Sequence, residues 1–184
     1  MSQFNYAENL LKHCIKDPDI DWDSPHLQKT PYRFAKMLHD LTTPDDFEFT
    51  TFPNDRDVDA MVLVRDIPFY SLCAHHVIPF YGKAHIGYVP KDQIAGLSKL
   101  ARTVHHFCRS LNVQEELTQI IANYLDEQLH PVGVAVVMQA EHLCMTMRGA
   151  QVPGTLTMTN TLMGCYRDPL EQARSEFFAA IGLR

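Results

Sequence analysis

The chain has 184 residues, enough for one domain with a core of useful size, and its hydrophobic and charged fractions of 46% and 21% are those of an ordinary globular protein. A formal charge of −6 argues against generic nucleic-acid binding, which runs on a broad basic surface, so any anionic ligand needs cations gathered locally. Five cysteines, an odd number, without a signal-like apolar segment near Met1 or a membrane-length apolar run, give the expectation of a reducing cytoplasm, no disulfide framework and no membrane.

Residues 1–16 predict an amphipathic helix, with Phe4, Leu10, Leu11, Cys14 and Ile15 near helical spacing. Asp17 to Gln28 is a polar connector, and the division expected is an N-terminal helix and connector over 1–29 followed by a domain over 30–184. Thr30-Pro31 opens the next helix, threonine as N-cap and proline at the first helical position, with Phe34, Met37, Leu38 and Leu41 as its apolar stripe. Arg33 and Lys36, three apart, share a face of that helix; by pattern alone this is a solvated edge. Thr42 to Asp59 reads as a loop. Met61 to Phe69 and Tyr81 to Val89 read as strands, with Cys73-x-x-His76 in the turn between them.

From Ala95 the period becomes helical, with Leu97, Leu100, Ala101, Val104, Phe107 and Cys108 on the apolar face. Ser98, Lys99 and Arg102 lie near the start of that helix, whose free N–H groups would add to an anion site. His105 and His106 take no role. Val113 to Leu129 is a second helix with Leu117, Ile120, Ile121, Tyr124, Leu125 and Leu129 inward. Gln114 and Glu115 stand at its start, where the helix dipole alone would account for a carboxylate. Val132 to Met147 predicts one long strand, which would put His142 and Cys144 on one face and Leu143 on the other. Arg148 follows, Gly149 and Pro153-Gly154 turn the chain, and Thr155 to Leu162 reads as a further strand. Asp168-Pro169 opens a last helix over 170–181. This order of helices and hairpins describes an α+β domain.

Two clusters stand out, Cys73-Ala74-His75-His76 and His142-Leu143-Cys144. Zinc takes thiolate and imidazole ligands, and a catalytic zinc site keeps one position open for water. Cys73, His76 and Cys144 would make such a three-ligand set, with His75 and His142 as proton carriers beside it. Buried cysteines and satisfied core histidines are the alternative for either cluster alone; the pair together favours a metal.

Val64-Arg65-Asp66-Ile67, Ser71 to His76, Gly82 to Lys91, Gly96 to Arg102, Val113 to Thr118 and His142 to Gly149, all in order, resemble GTP cyclohydrolase I from about Thr30 onward. The resemblance implies the tunnelling fold: an antiparallel sheet with paired helices on one face and N-terminal helices, assembling into a toroidal homo-oligomer, a ring of ten, with sites between subunits. It implies zinc on Cys73, His76 and Cys144, and hydrolysis of GTP to 7,8-dihydroneopterin triphosphate and formate. His142, His75 and Ser98 would be catalytic. Gln114 and Glu115 would select guanine, since an ionised glutamate can accept both the N1–H and the 2-amino N–H. Arg33, Lys36, Lys99, Arg102 and Arg148 would converge on the triphosphate. The chain departs from the family at Ala74, where a glutamate is usual, and in its short N-terminal extension. The alternatives are a related hydrolase that stops at a ring-opened formamidopyrimidine, a same-fold reductase using cysteine and NADPH, and a non-catalytic purine-binding assembly subunit.

Overall fold

Gln3–Cys14 and Thr30–Thr42 fold as helices α1 and α2, as their spacing predicts, and α2 packs on α1. The computed structural model describes residues 3–168 and 172–183, and the chain divides into two units, 1–43 and 44–184. In the first unit Thr30 is itself the first helical residue and Lys29 takes the cap position without a side-chain bond, a correction to the expected threonine cap. Pro31 keeps its place in the first turn, where a missing N–H costs nothing. The apolar stripes are only partly covered: Leu10, Ile15 and Met37 stay exposed, and the side chain of Phe4 lies outside the described residues.

The second unit contains β1 (Thr51–Pro53), β2 (Val62–Cys73), β3 (Pro79–Val89), β4 (Gln93–Ala95), α3 (Leu97–Cys108), β5 (Leu111–Asn112), α4 (Gln114–Leu129), β6 (Gly133–His142), α5 (Leu143–Thr146), β7 (Leu156–Gly164) and α6 (Gln172–Ala180). Pro169 and the expected helix start at Leu170 fall outside the described residues. Five strands form one sheet in the order β5-β2-β3-β6-β7, antiparallel except for the short β2·β5 pair, and β1 pairs with β4 separately. The expected α+β architecture is present, with α3 and α4 together on one face.

That face makes the main core. Ile67, Phe69, Phe80, Ala84, Ile86, Tyr88, Val134, Val136 and Met138 meet Leu100, Val104, Leu117, Ile121, Leu125 and Leu129 from the two helices. The helical periods were therefore legible, except that Leu97 and Ile120 stay exposed. On the opposite face Ala135 and Val137 pack with Tyr166 and Phe177. Covered on both sides, β6 reads as a continuous apolar run rather than an alternating one, as buried strands do.

The largest difference from the sequence reading lies at the end of β6. The strand stops at His142, and Leu143–Thr146 closes a single helical turn with Met147 N–H bonded to Leu143 O at 3.1 Å. Cys144 thus reaches its site from a turn of helix, not from the strand face expected to carry it with His142. A four-residue turn has no period to announce it, and the β-branched run before it carries the strand pattern past its true end. The same brevity hid β1, β4 and β5.

Candidate metal centre and active site

Cys73 ends β2, and the turn to β3 folds back on it: Cys73 N–H bonds Ile78 O at 2.9 Å, while His76 N–H and Val77 N–H bond Cys73 O at 3.2 and 2.8 Å. Val77 takes φ 53° to complete the reversal. This tight turn presents both histidines to the cysteine. Cys73 Sγ lies 3.7 Å from Nδ1 of His75 and 3.7 Å from Nδ1 of His76.

The helical turn α5 brings the second cysteine in, with Cys144 Sγ 4.0 Å from Cys73 Sγ. One ligand atom from each of Cys73, His76 and Cys144 lies within 4.8 Å of the others. A tetrahedral zinc with bonds of about 2.3 Å to sulfur and about 2.0 Å to nitrogen would set the sulfurs about 3.8 Å apart and sulfur and nitrogen about 3.5 Å apart. The donor set and its spacing fit a metal ion with three protein ligands. Burial raises the Cys144 thiol pKa, the Cys73 sulfur raises it further, and Arg148 opposes both, so Cys144 is a poor holder of a thiolate charge until a cation shares it.

Two further residues hold this turn. Asn112, on β5, accepts the N–H of Ala74 at 3.0 Å through its backbone carbonyl. Its side-chain Nδ2 donates to Ser71 Oγ and to Phe107 O, each at 2.9 Å, and Ser71 Oγ donates to Cys108 O at 2.7 Å. The metal turn is therefore tied to the end of α3 through a two-residue strand. No sequence signal marks Asn112, because its role depends on a parallel pairing between segments nearly forty residues apart.

His142 stands at the end of β6 with its ring stacked parallel on Phe80, centroids 4.6 Å apart, and its Nε2 2.6 Å from Gln114 Oε1. Burial lowers its pKa, with Glu115 pulling weakly upward, so the ring is held towards its neutral form. Phe80, the stacking surface, was another residue the pattern could not single out from an ordinary core aromatic.

Of the remaining candidates, Glu115 is exposed at the start of α4, and Gln114 beside it is buried. Arg148 is exposed just beyond α5, and its charge reaches Cys144. Ser98, Lys99 and Arg102 lie on the first turns of α3, where Lys99 Nζ donates to Glu48 O at 2.7 Å. Arg33 and Lys36 belong to the first unit, on α2, with Lys36 paired to Asp40 one turn on. They line a cavity there of about 370 Å³ with Met37, Asp40 and Leu41.

Residues 7–182 match the model of the family described as GTP cyclohydrolase I. The protein from Aquifex aeolicus (strain VF5) named GTP cyclohydrolase 1 is 46% identical over 94% of this chain and 91% of its own length. A protein of the same name from Sulfurihydrogenibium sp. (strain YO3AOP1) is 46% identical over 96% of this chain and 94% of its own. The Saccharomyces cerevisiae protein of that name is 45% identical over 95% of this chain and 73% of its own.

Proposed function

Because the chain belongs to the GTP cyclohydrolase I family, we propose that it hydrolyses GTP to 7,8-dihydroneopterin triphosphate and formate. The observation that carries the reading is the meeting of Cys73, His76 and Cys144, from segments some seventy residues apart, at the spacing of a three-ligand metal site. Zinc held there would supply Lewis acidity and a water of near-neutral pKa.

The chain's own groups supply the rest. His142 donates a proton to N7 of the guanine, which makes C8 a better acceptor of water; its place on Phe80 keeps the ring plane fixed for that transfer. C8 leaves as formate, and His75 and Ser98 move protons as the ribose opens and the pterin ring closes. Over the whole reaction one water is consumed per GTP. The exposed carboxylate of Glu115 accepts the N1–H and 2-amino N–H of guanine, with Gln114 assigned beside it by the resemblance. Lys99, Arg102 and Arg148, with Arg33 and Lys36, hold the triphosphate by charge-assisted hydrogen bonds, and Lys99 exchanges Glu48 O for a phosphate oxygen. Full convergence of these cations is assigned to a toroidal homo-oligomer, a ring of ten with sites between subunits. Its setting is the cytoplasm, and no helix among the described residues is long and apolar enough to cross a membrane.

Incubation with GTP, mass spectrometry of the product and a formate assay test the reading. Cys144→Ala is expected to lose both bound zinc and turnover. A product stopped at the formamidopyrimidine, or no turnover with zinc fully loaded, would replace it with the partial hydrolase or the binding subunit.

A further inference from the structure

Gln114, placed beside guanine by resemblance, has its side chain committed elsewhere. Only 2% of the residue is exposed. Its Nε2 donates to Met138 O, Thr157 O and Thr159 Oγ1, each at 3.1 Å. Two of these partners are backbone carbonyls, which can only accept. Turning the amide over would set Oε1 against both carbonyl oxygens, so its orientation follows from the partners rather than from choice. Oε1 then faces His142 Nε2 at 2.6 Å, and the nitrogen it meets has to carry the hydrogen.

We infer that Gln114 is a positioning residue that fixes neutral His142 as the Nε2–H form, leaving Nδ1 as the ring nitrogen that faces chemistry, where it takes up a proton from solvent before passing it to N7 in the proposed reaction. The supports of Gln114 are themselves closed. Thr118 Oγ1 donates to Gln114 O at 2.7 Å, and Thr159 Oγ1 lies 2.6 Å from Thr118 Oγ1. Phe80 fixes the plane of the imidazole and Gln114 its rotation within that plane, so two contacts define the ring completely. A guanine contact by the Gln114 side chain would have to break this set, stranding buried donors and acceptors at about 1–3 kcal/mol for each unpaired group. The selection of guanine at the start of α4 therefore falls to Glu115 and to main-chain groups.

This inference deepens the proposed reaction and rests on it only for the meaning of Nδ1; the tautomer stands without it. Zinc-loaded full-length protein labelled with nitrogen-15 in its histidines, sedimented and measured by solid-state NMR at mildly alkaline pH, reads the ring directly. His142→Asn identifies the signals by their loss. A protonated Nε2 with a bare Nδ1 is expected; a bare Nε2 with Nδ1–H overturns the inference. For Gln114→Met, mixed tautomers are expected, with kcat lower by about 10- to 100-fold and KM for GTP within about threefold. A KM rise of that size, with unchanged kcat and unchanged His142 signals, would return Gln114 to the substrate site and overturn the inference. Should GTP not turn over at all, the proposed reaction fails while the wild-type spectrum still decides the tautomer.

Discussion

Ala74 sits between Cys73 and the two histidines, exposed, with its N–H held by Asn112. The family glutamate at this place would set a carboxylate beside the metal turn, and partners of that kind change metal affinity or activity by about 10–100-fold. Ala74→Glu is expected to slow zinc loss to a competing chelator by about tenfold, and equal loss rates would show that the methyl group costs this chain nothing. His85 gives a residue-scale prediction away from the site. It is 3% exposed on β3, and its Nδ1 accepts the N–H of Asp66 at 3.2 Å. Burial lowers its pKa below the ordinary 6.5, opposed by Asp66 and Gln139, with Lys83 and Arg65 lowering it slightly further. The unfolded chain therefore binds more protons here than the folded one. Its contribution to stability is full above about pH 6.5 and falls as the medium is acidified below that. His85→Gln should lose less melting temperature than the parent between neutral and mildly acidic pH, and parallel losses would remove His85 as a cause.

Elements decide how those residues meet. The metal turn hangs from β5, and Asn112→Ala would strip Ser71 Oγ and Phe107 O of their donor while leaving the backbone bond to Ala74. A cost of about 1–2 kcal/mol is expected in denaturant unfolding, with faster zinc release than in the parent. Close approach of β3 and β6 is a second such condition. A Cβ on Gly82 would lie 1.9 Å from Gln139 O, two residues from the Phe80↔His142 pair. Gly82→Val is expected to separate the strands and abolish folding, seen as loss of cooperative unfolding. The sequence made the long elements legible because α3, α4 and the β2–β3 hairpin repeat their periods for ten residues or more. It also picked out three donors that the fold brings together, Cys73, His76 and Cys144, since a Cys-x-x-His turn and a second cysteine need no periodicity to be noticed. The route by which Cys144 arrives was not legible, because one turn of helix following a strand leaves no pattern. Gln114 was equally opaque: its partners Met138, Thr157 and Thr159 come from two strands that follow it in the chain.

At the scale of the molecule, the sheet ends in two long edges. Among the described residues β7 pairs only with β6, and beyond β3 the strand β2 is met only at Leu72 and Cys73. Tyr70, Leu156 and Met158 lie open nearby, at 67%, 62% and 50% exposure. Unpaired edges invite pairing with another chain, which supports the proposed ring. Light scattering is expected to give a mass several times the 21.0 kDa of one chain, and a monomer at micromolar concentration would sink that assembly. The nearness of Cys73 to Cys144 has one more consequence, which concerns oxidation. Two thiols 4.0 Å apart on a turn and a short helix need only a small shift to form a covalent bridge once no cation separates them. Protein stripped by chelator and left in air should lose two titratable thiols and refuse zinc until a reductant restores them, whereas loaded protein kept in the same air should lose neither.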